Sequence, residues 1–228
     1  MTRVLAAAWL IARKDFTIEA RSREIIATAA FFAVACVLVF AFSLVEDGRA
    51  PDGVAAGVLW IGIAFSGTLS LGRLFERERA HDTLRTLLLA PIERPAVYLG
   101  KLLAVIMLMS AVAALLLPFT GFLFDQAVVR SAPGLAAIIV LGIIGYAAVG
   151  TLFAAMLGRS RSRDVLLPVL LYPMTVPVLI AGVRATSALL EAAGPDWATA
   201  RLWMGVLGAF DTVFLTLALW TFEAVMEE

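Results

Sequence analysis

Apolar and polar positions alternate along the chain in blocks, not residue by residue. Six nearly unbroken apolar runs stand out: Ile25–Val45, Val54–Leu71, Leu102–Phe124, Gly134–Leu157, Val165–Val183 and Leu202–Phe222. Their lengths are 21, 18, 23, 24, 19 and 21 residues. An α-helix rises about 1.5 Å per residue, so roughly 20 apolar residues cross a hydrocarbon layer about 30 Å thick. Each run is therefore predicted to be a membrane-spanning helix. The period-2 alternation of a membrane β-barrel is absent, and the connections are too short for a second, soluble domain. The pattern predicts one all-α transmembrane domain over residues 1–228.

The segment before the first run has a different period. Leu5, Trp9, Ala12 and Phe16 share one side of a helical wheel, and Arg3, Lys14 and Arg21 fall on the opposite side. This predicts an amphipathic helix over about residues 4–21, lying in the interface with its basic face toward lipid headgroups. A signal peptide fits less well, because Arg13, Lys14 and Asp15 directly follow the short apolar stretch.

Composition narrows the class. Of the 228 residues 62% are hydrophobic and 16% charged, against roughly 45–50% apolar in soluble domains. The mean hydropathy is +0.96. A soluble enzyme, a disordered chain and a disulfide scaffold are all excluded; the single cysteine, Cys36, sits within the first run. There is one histidine, His81, and no pair of ligands at metal spacing, so bis-histidine haem ligation within one chain is impossible. The only Gly-Lys pair, Gly100-Lys101, has Pro95 and Leu102 where a phosphate-binding loop needs glycine and a hydroxyl. Any nucleotide energy is expected from another polypeptide.

The net charge is zero, so placement matters more than the sum. Fourteen of the eighteen Lys and Arg residues fall in the N-terminal segment and in the segments after the second and fourth runs. Arg49, Arg130, Arg184 and Arg201 are the four on the other side. Basic residues in short loops stay in the cytoplasm, which predicts both termini there. The same residues act as orientation signals, and nucleic-acid binding has no support.

The longest polar stretch, about 72–95, reads as a cytoplasmic helix ending at Pro91. Ala80, Leu84, Leu87 and Leu88 form one face, while Glu78, Asp82 and Arg85 form the other. Such a helix is either a solvated surface element or a docking element for a soluble motor subunit. In the second reading Glu76, Arg77, Glu78, Arg79, Asp82 and Arg85 are the docking residues.

Several segments carry a family likeness. They are Arg13-Lys14-Asp15, Glu19-Ala20-Arg21-Ser22-Arg23-Glu24, Gly57-Val58-Leu59-Trp60, Leu87-Leu88-Leu89-Ala90-Pro91, Tyr98-Leu99-Gly100-Lys101 and Pro177-Val178-Leu179-Ile180. In this order and spacing the chain resembles the haem exporter protein B family, from about residue 10 to Glu227-Glu228. The charged loop resembles the coupling helix of type-2 ABC exporters. The resemblance implies a six-span permease subunit of the bacterial inner membrane, with an N-terminal elbow helix and a cytoplasmic coupling helix. It implies a separate ABC ATPase subunit, haem-handling membrane partners, a periplasmic haem chaperone and a homodimer within the complex. ATP and haem would be handled through those partners, with no cofactor on this chain. The activity implied is coupling of ATP hydrolysis to haem delivery, or to release of the haem-loaded chaperone, in c-type cytochrome biogenesis. A permease for another substrate and a passive scaffold are the alternatives.

Polar groups inside the runs complete the reading. Asp211 is tenth of the 21 residues in the last run. A carboxylate at mid-bilayer costs about 2.5–3.5 kcal/mol on insertion scales. Either Asp211 faces a partner there, or Trp197–Phe210 forms a shallow outer segment and Asp211 caps the helix that follows. Gly194-Pro195, Trp197 and Trp203 favour the second reading, with Arg184 as the candidate partner at the outer end. Pro118, Pro168, Pro173 and Pro177 interrupt their runs and are candidate kinks. Gly53, Gly57, Ala64 and Gly67 share an arc of the second run, a candidate close-packing face either within the chain or between copies.

Overall fold

The computed structural model describes residues 2–45, 51, 53–80, 94–124, 128–157, 160, 162–191 and 194–225. The described residues form α1 (Thr2–Ser22), α2 (Glu24–Leu44), α3 (Val54–Ala80), α4 (Arg94–Leu123), α5 (Ala132–Met156), α6 (Arg163–Leu189) and α7 (Trp197–Val225). A 3-10 turn at Val128–Ser131 leads into α5, and no strand occurs among the described residues. The helices α2 to α7 are each long and apolar enough to cross a membrane. The protein is a multi-pass, all-helical membrane protein, and every one of the six predicted runs lies on one of these helices.

The helices alternate in direction, so the bundle has two ends. At one end, rich in arginine and lysine, lie α1, the starts of α2, α4 and α6, and the finish of α3. Arg73 near the close of α3 pairs with Glu24 at the start of α2 at 2.6 Å. Arg163, opening α6, donates from Nη2 to the Leu71 carbonyl at 3.2 Å. At the far end Ser131 donates to the Leu189 carbonyl at 3.1 Å, joining the start of α5 to the finish of α6.

The centre of the bundle is α5, which carries no charged residue and buries more than half its length. It touches α3, α4, α6 and α7. Its glycines allow this. Gly134 lies against Leu189 and Trp197, Gly142 against the Trp60 ring, Gly145 against Asp211 and Phe210, and Gly150 against Leu71. At each position a Cβ would overlap the neighbouring side chain, so small residues bring the helices together where apolar surface cannot, because lipid is equally apolar. Trp60 fills the space between Gly142 and Gly182, and its indole N–H donates to Thr186 Oγ1 at 3.0 Å. A large apolar ring is thus buried with its one polar atom satisfied.

The arc of small residues predicted on the second run is divided by the fold. Gly67 packs against Tyr146 and Met109, whereas a Cβ at Gly57 would meet nothing within 4 Å and this glycine borders a half-open groove between α3 and α6. Gly62, on the opposite side, packs against Leu116 and Ala33. Helix α6 continues through Pro168, Pro173 and Pro177, and α4 continues through Pro118.

Candidate functional site

Buried charge gathers at the basic end, where α1 lies on the first turns of α4. The side of α1 turned inward carries Ala8, Ile11, Ala12, Asp15 and Glu19. Ala8, Ala12, Asp15 and Glu19 step by three or four residues and Ile11 sits beside Ala12, so they form one stripe. Gly100 of α4 lets this stripe approach closely: a Cβ there would lie 2.7 Å from Ile11 Cβ and 3.0 Å from the Ala8 carbonyl. One residue on, Lys101 is 2% exposed and its Nζ donates to Asp15 Oδ2 at 2.5 Å. Lys14, on the rim, reaches Asp15 Oδ1 at 3.0 Å.

Glu19, 1% exposed, ties the same helix to α2. Its Oε1 accepts from the Ile26 N–H at 3.0 Å, and its Oε2 is 3.4 Å from Ser22 Oγ. The first N–H groups of any helix lack partners within it, and Glu19 supplies one for α2 across the bend. The bend itself is at Arg23, whose φ of 55° is left-handed. An L residue pays roughly 1–2 kcal/mol for that conformation. The neighbouring contacts hold it in place.

This arrangement adds an inward stripe to the two predicted sides of α1. Leu5 and Trp9 are exposed and Phe16 only half-buried, while two carboxylates point inward. The inward stripe is legible in retrospect, because Ala8, Ile11 and Ala12 continue at helical spacing into Asp15 and Glu19. Read by hydrophobicity, the stripe stops at Ala12. Only the position of Lys101 makes the continuation favourable.

The predicted docking residues divide between described and undescribed positions. Helix α3 runs on to Ala80, seven residues past Arg73, and Glu76, Arg77, Glu78 and Arg79 occupy this extension. Asp82 and Arg85 lie outside the described residues, as does the rest of the helix expected to end at Pro91. The extension leads from the Arg73–Glu24 pair, and α4 resumes at Arg94, two turns before Lys101. The 72–95 segment is therefore flanked on both sides by the polar contacts of the basic end.

Asp211 and Arg184 are not brought together. Helix α7 is continuous from Trp197 to Val225, so Asp211 is an interior residue and caps nothing. The cap is Asp196, whose Oδ1 accepts from the Ala198 and Thr199 N–H groups at 3.0 and 3.1 Å. The Thr199 side chain above all, with these backbone bonds, holds the half-buried Asp196 carboxyl below its ordinary range. Asp211 is buried beside Gly145, Val178 and Phe210, near the middle of α5, α6 and α7 alike, and neither carboxylate oxygen has a hydrogen-bond partner. Arg184 is exposed on α6 and makes no ion pair with it. A shallow outer segment ending at Phe210 is thus replaced by one long helix, because Asp196 starts it fifteen residues earlier.

A second polar cluster lies inside the bundle. Tyr146 donates to the Ala64 carbonyl at 2.9 Å, and its hydroxyl is 2.8 Å from Thr68 Oγ1. Tyr172 Oη is 3.4 Å from the same threonine. Tyr172 and Trp60 also border the α3–α6 groove, a cavity of about 130 Å³ that is otherwise apolar. No cluster of metal-ligating side chains occurs among the described residues.

Comparison with known proteins finds a match over nearly the whole chain. The CcmB protein family matches residues 6–228. A heme exporter protein B from Paracoccus denitrificans is 32% identical over 195 residues, covering 86% of this chain and 85% of the relative. One from Haemophilus influenzae is 27% identical over 191 residues, covering 81% of each. Another from Pseudomonas aeruginosa is 25% identical over 217 residues, covering 92% of each. The six spans, the packed N-terminal helix and this match together place the chain in the CcmB protein family.

Proposed function

We propose that this chain is the non-catalytic permease subunit of an ABC transporter acting in c-type cytochrome biogenesis. ATP hydrolysis by a separate subunit is coupled through it to haem delivery, or to release of the haem-loaded periplasmic chaperone. The observation that carries the coupling is at the basic end. Helix α3 continues about 10 Å past Arg73, at about 1.5 Å per residue, while the adjoining helix ends are cross-linked by Arg73–Glu24, Arg163–Leu71 and Lys101–Asp15. A push on such an end displaces several spans together. The relatives' names supply the haem.

In this reading the basic end is cytoplasmic, in keeping with the concentration of Lys and Arg there. The membrane is the bacterial inner membrane. The ATPase docks on Glu76, Arg77, Glu78, Arg79, Asp82 and Arg85, and two copies of the chain pair with two ATPase subunits. Haem and ATP are held by partners, not by this chain.

The test is purification of the chain from gently solubilised native membranes, with partner identification and an ATPase assay. Recovery of an ATPase with haem-handling subunits, and loss of ATP-dependent turnover on Glu76→Lys/Glu78→Lys, supports the proposal. An ATPase without haem-handling partners turns it toward export of another substrate. Normal cytochrome maturation with both charges reversed, and no ATPase recovered, makes the chain a scaffold.

A further inference from the structure

We propose that the outer face of α1 is a binding site for the headgroups of anionic phospholipids, selective against zwitterionic ones. The sequence of α1 mixes charges, with Arg3, Arg13, Lys14 and Arg21 alongside Asp15 and Glu19. The fold sorts them. Both acids are turned inward and used, Asp15 by Lys101 and Lys14, and Glu19 by the Ile26 N–H. What remains outside is one open face of the helix, made by Leu10, Arg13, Lys14, Thr17, Ile18 and Arg21. It contains three cations and no acid. Arg13 and Arg21 make no ion pair among the described residues, and the Thr17 hydroxyl is occupied by the Arg13 carbonyl at 2.6 Å.

Two features point to lipid as the occupant. Leu10 is 63% and Ile18 48% exposed between the cations; apolar groups so placed gain from contact with acyl chains while the cations meet phosphate. In addition, α1 joins the first span across the single residue Arg23, which holds the helix at the level where that span meets the headgroups. A zwitterionic headgroup brings its own cation to an already cationic face. An anionic one does not.

Native mass spectrometry of the purified full-length chain, titrated with phosphatidylglycerol and separately with phosphatidylcholine, tests the site. Phosphatidylglycerol adducts are expected at lower lipid concentration, and Arg13→Gln/Lys14→Gln/Arg21→Gln should remove the preference. Each cation near a membrane surface is worth about fivefold in affinity for anionic lipid. Arg13→Lys/Arg21→Lys, which keeps the charge, should retain the preference, and Arg184→Gln at the far end should not alter it. Equal binding of the two lipids by the parent chain overturns the proposal. So does an undiminished preference in the triple variant, or a triple variant that keeps the preference but loses a co-purifying protein.

Discussion

Lys101 and Asp15 meet at 2.5 Å with both side chains closed off from solvent, joining the first turns of α4 to the N-terminal helix α1. Burying such a pair costs desolvation that attraction only partly returns, but leaving one member alone costs far more. Asp15→Ala or Lys101→Ala should therefore lower stability by about 3–5 kcal/mol. Asp15→Leu/Lys101→Met should recover most of that loss, because it strands no charge. Thermal unfolding of the four proteins in one detergent decides this. A double variant as unstable as the sum of its singles would show that the pair acts independently.

The contact of Trp60 with Gly142 permits little change. Gly142→Ala places a methyl group in the indole ring, and overpacking of this kind costs about 1–3 kcal/mol. Trp60→Phe loses the bond to Thr186, worth about 1 kcal/mol, and leaves that hydroxyl buried. Gly142→Ala should be milder in the Trp60→Phe background than in the parent, since the smaller ring leaves room. Melting temperatures in a fixed detergent decide this, and equal shifts in the two backgrounds would contradict the packing described.

Asp211 is a carboxyl without partners in the middle of the bundle. Replacing an unsatisfied buried polar group by an apolar one removes a penalty of about 1–3 kcal/mol. Asp211→Val should accordingly raise the unfolding temperature, whereas Gly145→Ala, which crowds Oδ1, should lower it. If Asp211→Val melts below the parent, the carboxyl has a stabilising partner in solution.

Asp196 gives a prediction for pH. Its bonds to the start of α7 hold the folded-state pKa below the unfolded value. A depressed carboxyl contributes stability that is present above the unfolded pKa and lost as pH falls through the folded one. Asp196→Ala should thus melt below the parent at neutral pH, and the two curves should converge as pH drops below the ordinary carboxylate range. A difference that persists in acid would mean the residue acts through something other than its charge.

All six spans were legible because a membrane demands long apolar runs, and no tertiary contact is needed to see one. Their ends were less legible. The run starting at Leu102 begins eight residues late, since α4 opens at Arg94 and carries Lys101 as a buried residue. A charged side chain reads as the edge of a span unless its partner is known. The opposite error befell Asp211, where the Gly194-Pro195 break and the tryptophans after it suggested a helix boundary at the aspartate that Asp196 in fact provides. In the docking segment, α3 reaches Ala80, and the rest of the expected helix lies outside the described residues.

The number of spans, their apolar character and the asymmetry of basic residues between the two ends were determined by the sequence alone, because each depends only on local composition and the properties of the bilayer. Which face of α1 turns inward, where Lys101 finds its counter-ion, and which glycine receives Trp60 were decided by the tertiary structure. Those outcomes depend on pairs such as Asp15 with Lys101 and Trp60 with Gly142, which lie more than eighty residues apart in sequence. Amphipathic period identifies a stripe, but only the neighbouring helix determines whether a carboxylate in that stripe is stranded or satisfied.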